Sequence, residues 1–249
     1  MLSALALALA APPPPAAVAV HFDRDGKVET RVADGLADRA GGRPVGPDDP
    51  VRIASISKLV VALGVLRLVE AGRLDLDRDV SDYLGWRLRH PGYPDRPISL
   101  AQLLGHRSGL NDDTDYALPL DADLETALRD PAAWDKARAP GGDFAYANFN
   151  YPVVAAVIEA ATGERFDAAM ARLVFHPLAL DACFNWPPCS DAAVARAVVL
   201  YSADGSVVRD DLKGARPACP VVPATDGSCN VASYRLGRHG AGFSPQGGL

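Results

Sequence analysis

Lysine is scarce in this sequence, with 4 in 249 residues, and so are methionine (2), tryptophan (3) and histidine (5). Acidic residues outnumber basic ones by 31 to 25, for a net charge of −6, so there is no basic footprint and nucleic acid is excluded as a partner. No apolar run approaches the roughly 18 residues of a membrane-spanning helix, so no integral membrane segment is expected. Trp86, Trp134 and Trp186 form no stacking array and read as packing residues. His21, His90, His176 and His239 are scattered, with no two at a ligand spacing, so no metal is expected. Asp75, Asp77 and Asp79 alternate, but no glycine or closing glutamate completes a calcium loop around them. No cofactor is expected either.

Cysteine is missing from the first 182 residues. All four, Cys183, Cys189, Cys219 and Cys229, lie in the Pro-, Asp- and Gly-rich second half. An even number at close spacing suits short-loop disulfides in an oxidising compartment. Four cysteines allow three connectivities, and Cys183–Cys189 with Cys219–Cys229 is preferred because each pair closes a loop of its own. The apolar stretch Met1–Ala11, followed by Pro12–Pro15, resembles the core and end of a secretory signal without its positively charged start. Residues 1–17 are therefore read as a signal-like or disordered N-terminal segment, and the protein as periplasmic or secreted.

The composition, 49% hydrophobic and 22% charged, is that of a globular protein long enough for one large domain. Val18, Val20 and Phe22 alternate, Asp25-Gly26 marks a turn, and Val28, Thr30 and Val32 resume the period of two, which predicts a hairpin. A polar, Gly-rich loop follows to Asp49. A helix is predicted from Ser55, with Leu59, Val60, Leu63, Leu66 and Val69 at helical spacing and Gly72 as its stop. Further helices are predicted at 100–104, 124–134, 152–161 and 168–175, and a second hairpin turns at Asp204-Gly205. This is an α+β pattern.

Ser55-Ile56-Ser57-Lys58 opens the first helix. Residues three apart share a helix face, so the Ser55 hydroxyl and the Lys58 amine can meet, and an amine is one means of activating a serine nucleophile. With 4 lysines and 12 serines, a chance Ser-x-x-Lys is expected about 0.2 times. Tyr146-Ala147-Asn148 adds a tyrosine suited to pass a proton between nucleophile and leaving group, and an amide that can orient a substrate or the lysine. A chance Tyr-x-Asn is expected about 0.14 times.

With these residues, "VRIASISK", "LVEAGRLDLDRDVSDYL", "LLGHRSGL", "FAYANFNY" and "FSPQGGL", in this order, resemble the serine β-lactamase and penicillin-binding-protein-like superfamily, closest to its class C β-lactamase and esterase branch. The resemblance runs from about residue 18 to the last residue. It implies a β-lactamase/transpeptidase-like fold, an antiparallel sheet with a helical layer. It implies Ser55 as acylated nucleophile, Lys58 as its partner, Tyr146 as general base and acid, and Asn148 as a substrate-orienting side chain. The Ser55 N–H would be one oxyanion donor, and His106 a structural residue of a helix–loop corner. Arg107 stands where the family has threonine.

A third family motif, a Lys-Thr-Gly or His-x-Gly triplet on a strand, is not found. Arg107-Ser108-Gly109 belongs to the "LLGHRSGL" block, and Arg238-His239-Gly240 precedes "AGFSPQGGL" without reading as a strand. Residues 18–249 are thus expected to be an incomplete, C-terminally truncated hydrolase domain lacking its C-terminal sheet strands. Without one oxyanion donor, a rate loss of about 10²–10³ is expected, leaving this chain weak or inactive. The substrate class is a small molecule or peptide bearing a β-lactam, amide or ester. The competing reading is a non-catalytic relative that keeps part of the fold as a binding or structural module.

Overall fold

The computed structural model describes residues 16–249. The signal-like segment lies outside the described residues except for Ala16 and Ala17, and Ala17 opens the first strand. In chain order, the elements begin with strands β1 (Ala17–Phe22), β2 (Val28–Asp34), β3 (Leu36–Asp38) and β4 (Arg43–Pro44). Helices α1 (Ser57–Glu70), α2 (Ser81–Leu84), α3 (Leu100–Leu104) and α4 (Leu124–Ala127) follow, then α5 (Asn150–Thr162), α6 (Phe166–Met170) and α7 (Asp191–Ala195). Strands β5 (Leu200–Tyr201) and β6 (Val207–Arg209) come last. The sheets are three antiparallel pairs, β1–β2, β3–β4 and β5–β6. The arrangement is the expected α+β pattern, with short antiparallel sheets and a helical body.

Two compact units divide the chain. One comprises residues up to Val51 with Asp191–Ala215, the other Arg52–Ser190 with Arg216–Leu249. In the first unit the Asp25-Gly26 turn forms as predicted. The Asp23 carboxylate accepts from the N–H groups of Asp25 and Lys27, and Gly26 supplies the left-handed φ of +79°. Val20 then pairs with Thr30 and Phe22 with Val28, with an irregularity between Ala19 and Val20. β3 and β4 were not predicted; they sit in the Gly-rich loop and are three and two residues long. Their small core is Ala37, Val45 and Val198. Arg43 closes this unit by pairing with Asp49 (2.6 Å) and donating to the carbonyls of Arg196 and Ala197.

The second unit holds the main core. α1 begins one short 3-10 turn (Ala54–Ile56) later than predicted and ends at Glu70, two residues before the expected stop Gly72, whose φ is +67°. Its buried stripe is Val61, Val65 and Leu68, while Leu59, Leu63 and Leu66 of the predicted stripe are exposed. The helix is apolar on both sides, so periodicity alone could not choose the inward face. Gly64 lets Met170 approach: a Cβ there would lie 2.7 Å from the methionine sulfur. α5 is the central helix, buried without interruption from Asn150 to Glu159. The predicted helix at 124–134 is shorter, α4 followed by a 3-10 turn at Pro131–Ala133 whose Asp130 caps it. α6 continues as a π-helical turn, Ala171–Phe175.

The C-terminal segment has no strand after Arg216; it folds back over α5 in turns. Arg238-His239-Gly240 lies in such a turn. There the backbone of Gly240 touches α5 so closely that a Cβ would sit 2.3 Å from the Pro152 carbonyl oxygen. Beneath it, the buried Glu159 carboxylate accepts from the Tyr234 hydroxyl (2.7 Å) and from the N–H groups of Gly237 and Phe166 (both 2.9 Å). Burial outweighs these three donors and pushes the Glu159 carboxyl up to about 7. Both disulfides have the expected connectivity, with Cα–Cα distances of 5.3 Å for Cys183–Cys189 and 5.7 Å for Cys219–Cys229.

Candidate active site

Ser55 sits on the 3-10 turn that precedes α1, directly after Ala54, whose φ of +47° is a left-handed conformation an L side chain rarely adopts. This bend turns the chain into the helix and leaves Ser55 exposed while Ser57 and Lys58 are buried. The Leu249 N–H donates to the Ser57 hydroxyl (3.2 Å), and the Ile53 N–H to the Leu249 carbonyl (2.9 Å), so residues at the far end of the chain frame the turn.

The four residues read from the sequence meet here. Lys58 Nζ lies 3.0 Å from Ser55 Oγ, the contact that i, i+3 spacing predicts. Ser55 Oγ is 2.8 Å from the Tyr146 hydroxyl. Asn148 Oδ1 accepts from Lys58 Nζ at 2.9 Å and from the Tyr146 hydroxyl at 3.2 Å. A third acceptor for the amine is the backbone carbonyl of Gln246, 2.7 Å away. The ammonium therefore has one acceptor for each of its three N–H bonds. It also lies 5.1 Å and 5.3 Å from the ring centroids of Tyr146 and Tyr151, within cation–π range.

Neighbouring groups hold this arrangement. His106, at φ +52°, stacks on the Tyr146 ring with centroids 4.6 Å apart. Its Nδ1 lies 3.2 Å from the Ala147 N–H and 3.3 Å from Asn150 Nδ2, both donors, so Nδ1 is the acceptor and the proton sits on Nε2. Burial, and then the charge of Lys58, lower the His106 pKa and keep the ring neutral. Burial also pushes the Tyr151 phenol up to about 12, which fixes it as an uncharged wall. Arg107, the departure from the family pattern, donates to the carbonyls of Gly141 (2.6 Å) and Gly142 (2.7 Å) and so fastens the loop that leads to Tyr146.

Two contributors escaped the sequence reading. Gln246 acts through a backbone carbonyl, which leaves no side-chain signature. Asp112, just after the "HRSGL" block, accepts from the Asn148 backbone N–H and side-chain Nδ2 (both 2.9 Å) and from the Phe149 N–H (3.1 Å). Among the described residues no group of histidine, cysteine or acidic side chains is arranged to hold a metal ion. No helix among them is long and apolar enough to cross a membrane. An exposed hydroxyl between an amine and a phenol, at the start of a helix, can be acylated and can exchange protons with both neighbours.

The profile of the Beta-lactamase family matches residues 15–244. Esterase EstB of Burkholderia gladioli is 36% identical over 194 residues, 71% of this chain and 48% of EstB. The putative penicillin-binding protein PbpX of Bacillus subtilis (strain 168) is 30% identical over 162 residues, 62% of this chain and 37% of PbpX. The chain thus spans half or less of the length of these relatives. Among solved structures, EstCE1, a hydrolase with promiscuous acyltransferase activity, superposes with a TM-score of 0.64 at 26% identity, over 90% of this chain and 62% of that one. A class C beta lactamase from Rhodobacter sphaeroides does so at 0.63 and 25%, over 77% and 52%.

Proposed function

The chain belongs to the beta-lactamase family, and from that premise we propose that it carries the acylation machinery of a serine hydrolase. Ser55 is the nucleophile, Lys58 its cationic partner, Tyr146 the proton carrier and Asn148 the amide that orients lysine and substrate. The observation that carries the reading is the closed hydrogen-bond circuit Ser55–Tyr146–Asn148–Lys58–Ser55, with contacts from 2.8 to 3.2 Å.

In the first step, Ser55 Oγ adds to the acyl carbon as its proton passes to the Tyr146 oxygen and the proton of the Tyr146 hydroxyl passes to the leaving oxygen or nitrogen, whose bond to the acyl carbon then breaks. Water cleaves the resulting Ser55 ester, releases the acid and restores the hydroxyl. The Ser55 N–H would serve as one oxyanion donor. A carboxylic ester is the favoured substrate, supported by the esterase name of the 36% identical relative and by the hydrolase with acyltransferase activity. β-Lactams and D-amino-acid peptides are the alternatives. The two disulfides support a periplasmic or secreted setting.

The test is intact-mass spectrometry of the purified chain after exposure to a fluorophosphonate, with Ser55→Ala as control. A single adduct that Ser55→Ala loses supports the reading. A folded chain that takes no adduct overturns it in favour of a non-catalytic module. Turnover of a p-nitrophenyl acyl ester against a chromogenic cephalosporin then sorts the substrates.

A further inference from the structure

We propose that Asp112 is the positioning residue of this site: it holds the Asn148 carboxamide so that oxygen, and not NH2, faces Lys58. The inference rests on the acylation reading above. A carboxamide has two ends of nearly equal size, and a half-turn about its last bond exchanges an acceptor for a donor at almost no steric cost. Only the partners choose. On one side of Asn148 stands the Lys58 ammonium, which can only donate, and on the other the Asp112 carboxylate, which can only accept.

The carboxylate is itself fixed. Its Oδ2 takes the Asn148 backbone N–H at 2.9 Å and its Oδ1 the Phe149 N–H at 3.1 Å, so two consecutive backbone donors hold both oxygens. With the remaining capacity of Oδ2 it takes Asn148 Nδ2, at 2.9 Å. The chain around it is anchored too: Leu110 bridges to Trp134, and the Asn111 N–H donates to the Ala133 carbonyl. Asp112 thus reads the same residue twice, backbone and side chain, and leaves Asn148 Oδ1 pointing at Lys58 (2.9 Å) and the Tyr146 hydroxyl (3.2 Å).

A reversed amide would set NH2 against NH3⁺ and against the tyrosine hydroxyl. Lys58 would keep two acceptors of three, and the donor-to-donor contact would push it from Ser55. Because Asp112 is exposed, its charge is screened by solvent; its leverage lies in the direction of hydrogen bonds. Asp112→Asn keeps the shape and removes this direction, because an asparagine can present either end.

Two measurements test this on the chain as it stands. The first is the rate of fluorophosphonate labelling of Ser55 in Asp112→Asn, Asp112→Ala, Asn148→Ala and the double variant. Asp112→Asn and Asp112→Ala are expected to slow labelling by about tenfold or more, the scale of impaired acid–base catalysis. Asp112→Ala is expected to add nothing in the Asn148→Ala background, at low and high salt alike. Additive losses would overturn the proposal, since Asp112 would then act on the fold at large.

The second measurement is the side-chain amide spectrum of chain labelled with 15N-asparagine, which has five such pairs. The Asn148 pair, assigned as the one missing in Asn148→Ala, is expected to shift and lose protection from solvent exchange in Asp112→Ala. An unmoved pair would overturn the proposal. If the wild-type chain takes no label, the hydrolase reading falls, and this spectrum still decides the role of Asp112.

Discussion

Helix α5 and the β1–β2 hairpin are both rich in aliphatic residues, yet the first ten residues of one are buried without a break and the other is not buried at all. In α5 every residue from Asn150 to Glu159 is inaccessible. In the hairpin no residue of either strand is buried, and Val18, Val20, Phe22, Val28 and Val32 all face solvent, Phe22 at 71%. The hairpin exists because its turn chemistry and ladder are local, and among the described residues its strands pair only with each other. The helix exists because α3, α6 and the C-terminal turns close around it. Apolar content states what an element is able to bury; only a partner decides whether it does. A two-stranded ribbon with both edges open is marginal alone and offers an aggregation edge.

The contrast can be attacked from its strong side first. Gly240→Ala places a methyl group 2.3 Å from a backbone carbonyl and 2.9 Å from the Ala156 nitrogen, neither of which can yield without moving α5. A loss of about 3 kcal/mol or more is expected by urea denaturation, in the range of severe core disruption. A variant of unchanged stability would mean that the C-terminal turn and α5 are not closely packed.

Glu159 gives the next largest effect, and its sign is set by burial. Its carboxyl stands at about 7 against an ordinary 4.5, so the folded state holds the proton more tightly than the unfolded one. The contribution of this group is therefore complete below about pH 4.5 and is lost as pH rises to about 7, a swing of about 3 kcal/mol. His106 and His239, whose pKa values burial lowers, act in the opposite direction, so the difference between wild type and Glu159→Gln is the clean readout. That difference in urea midpoint should change between pH 4.5 and 7; a flat difference would show that Glu159 is not desolvated. On the weak side of the comparison, Phe22→Ser should change stability by no more than about 0.5 kcal/mol and reduce light scattering of concentrated solutions. A larger loss would mean that the hairpin has a packing partner.

The same division explains what could be read in advance. Ser55 and Lys58 are neighbours by helical spacing, Tyr146 and Asn148 by proximity along the chain, and each disulfide closes its own short loop, so local spacing sufficed for all of them. That the two pairs of site residues would meet rested on the family resemblance, since they are 90 positions apart. Asp112 and the Gln246 carbonyl became visible only with the fold in hand, one because it acts through another side chain, the other because every residue has a carbonyl. The inward face of α1 was not legible for a related reason. Leu59, Leu63 and Leu66 form as good a stripe as Val61, Val65 and Leu68, and the choice between them belongs to Met170 and its neighbours, more than 100 residues away.

The carbonyl that completes the coordination of Lys58 lies 188 positions after it. A ribosome adding about 5–20 residues per second delivers Ser55 and Lys58 early and this last acceptor many seconds later. During that interval Ser55 is present as sequence but not as a poised group. The hydrogen-bond circuit around Lys58 is therefore incomplete while the chain is being made, and a chain interrupted short of Gln246 leaves Lys58 one acceptor short.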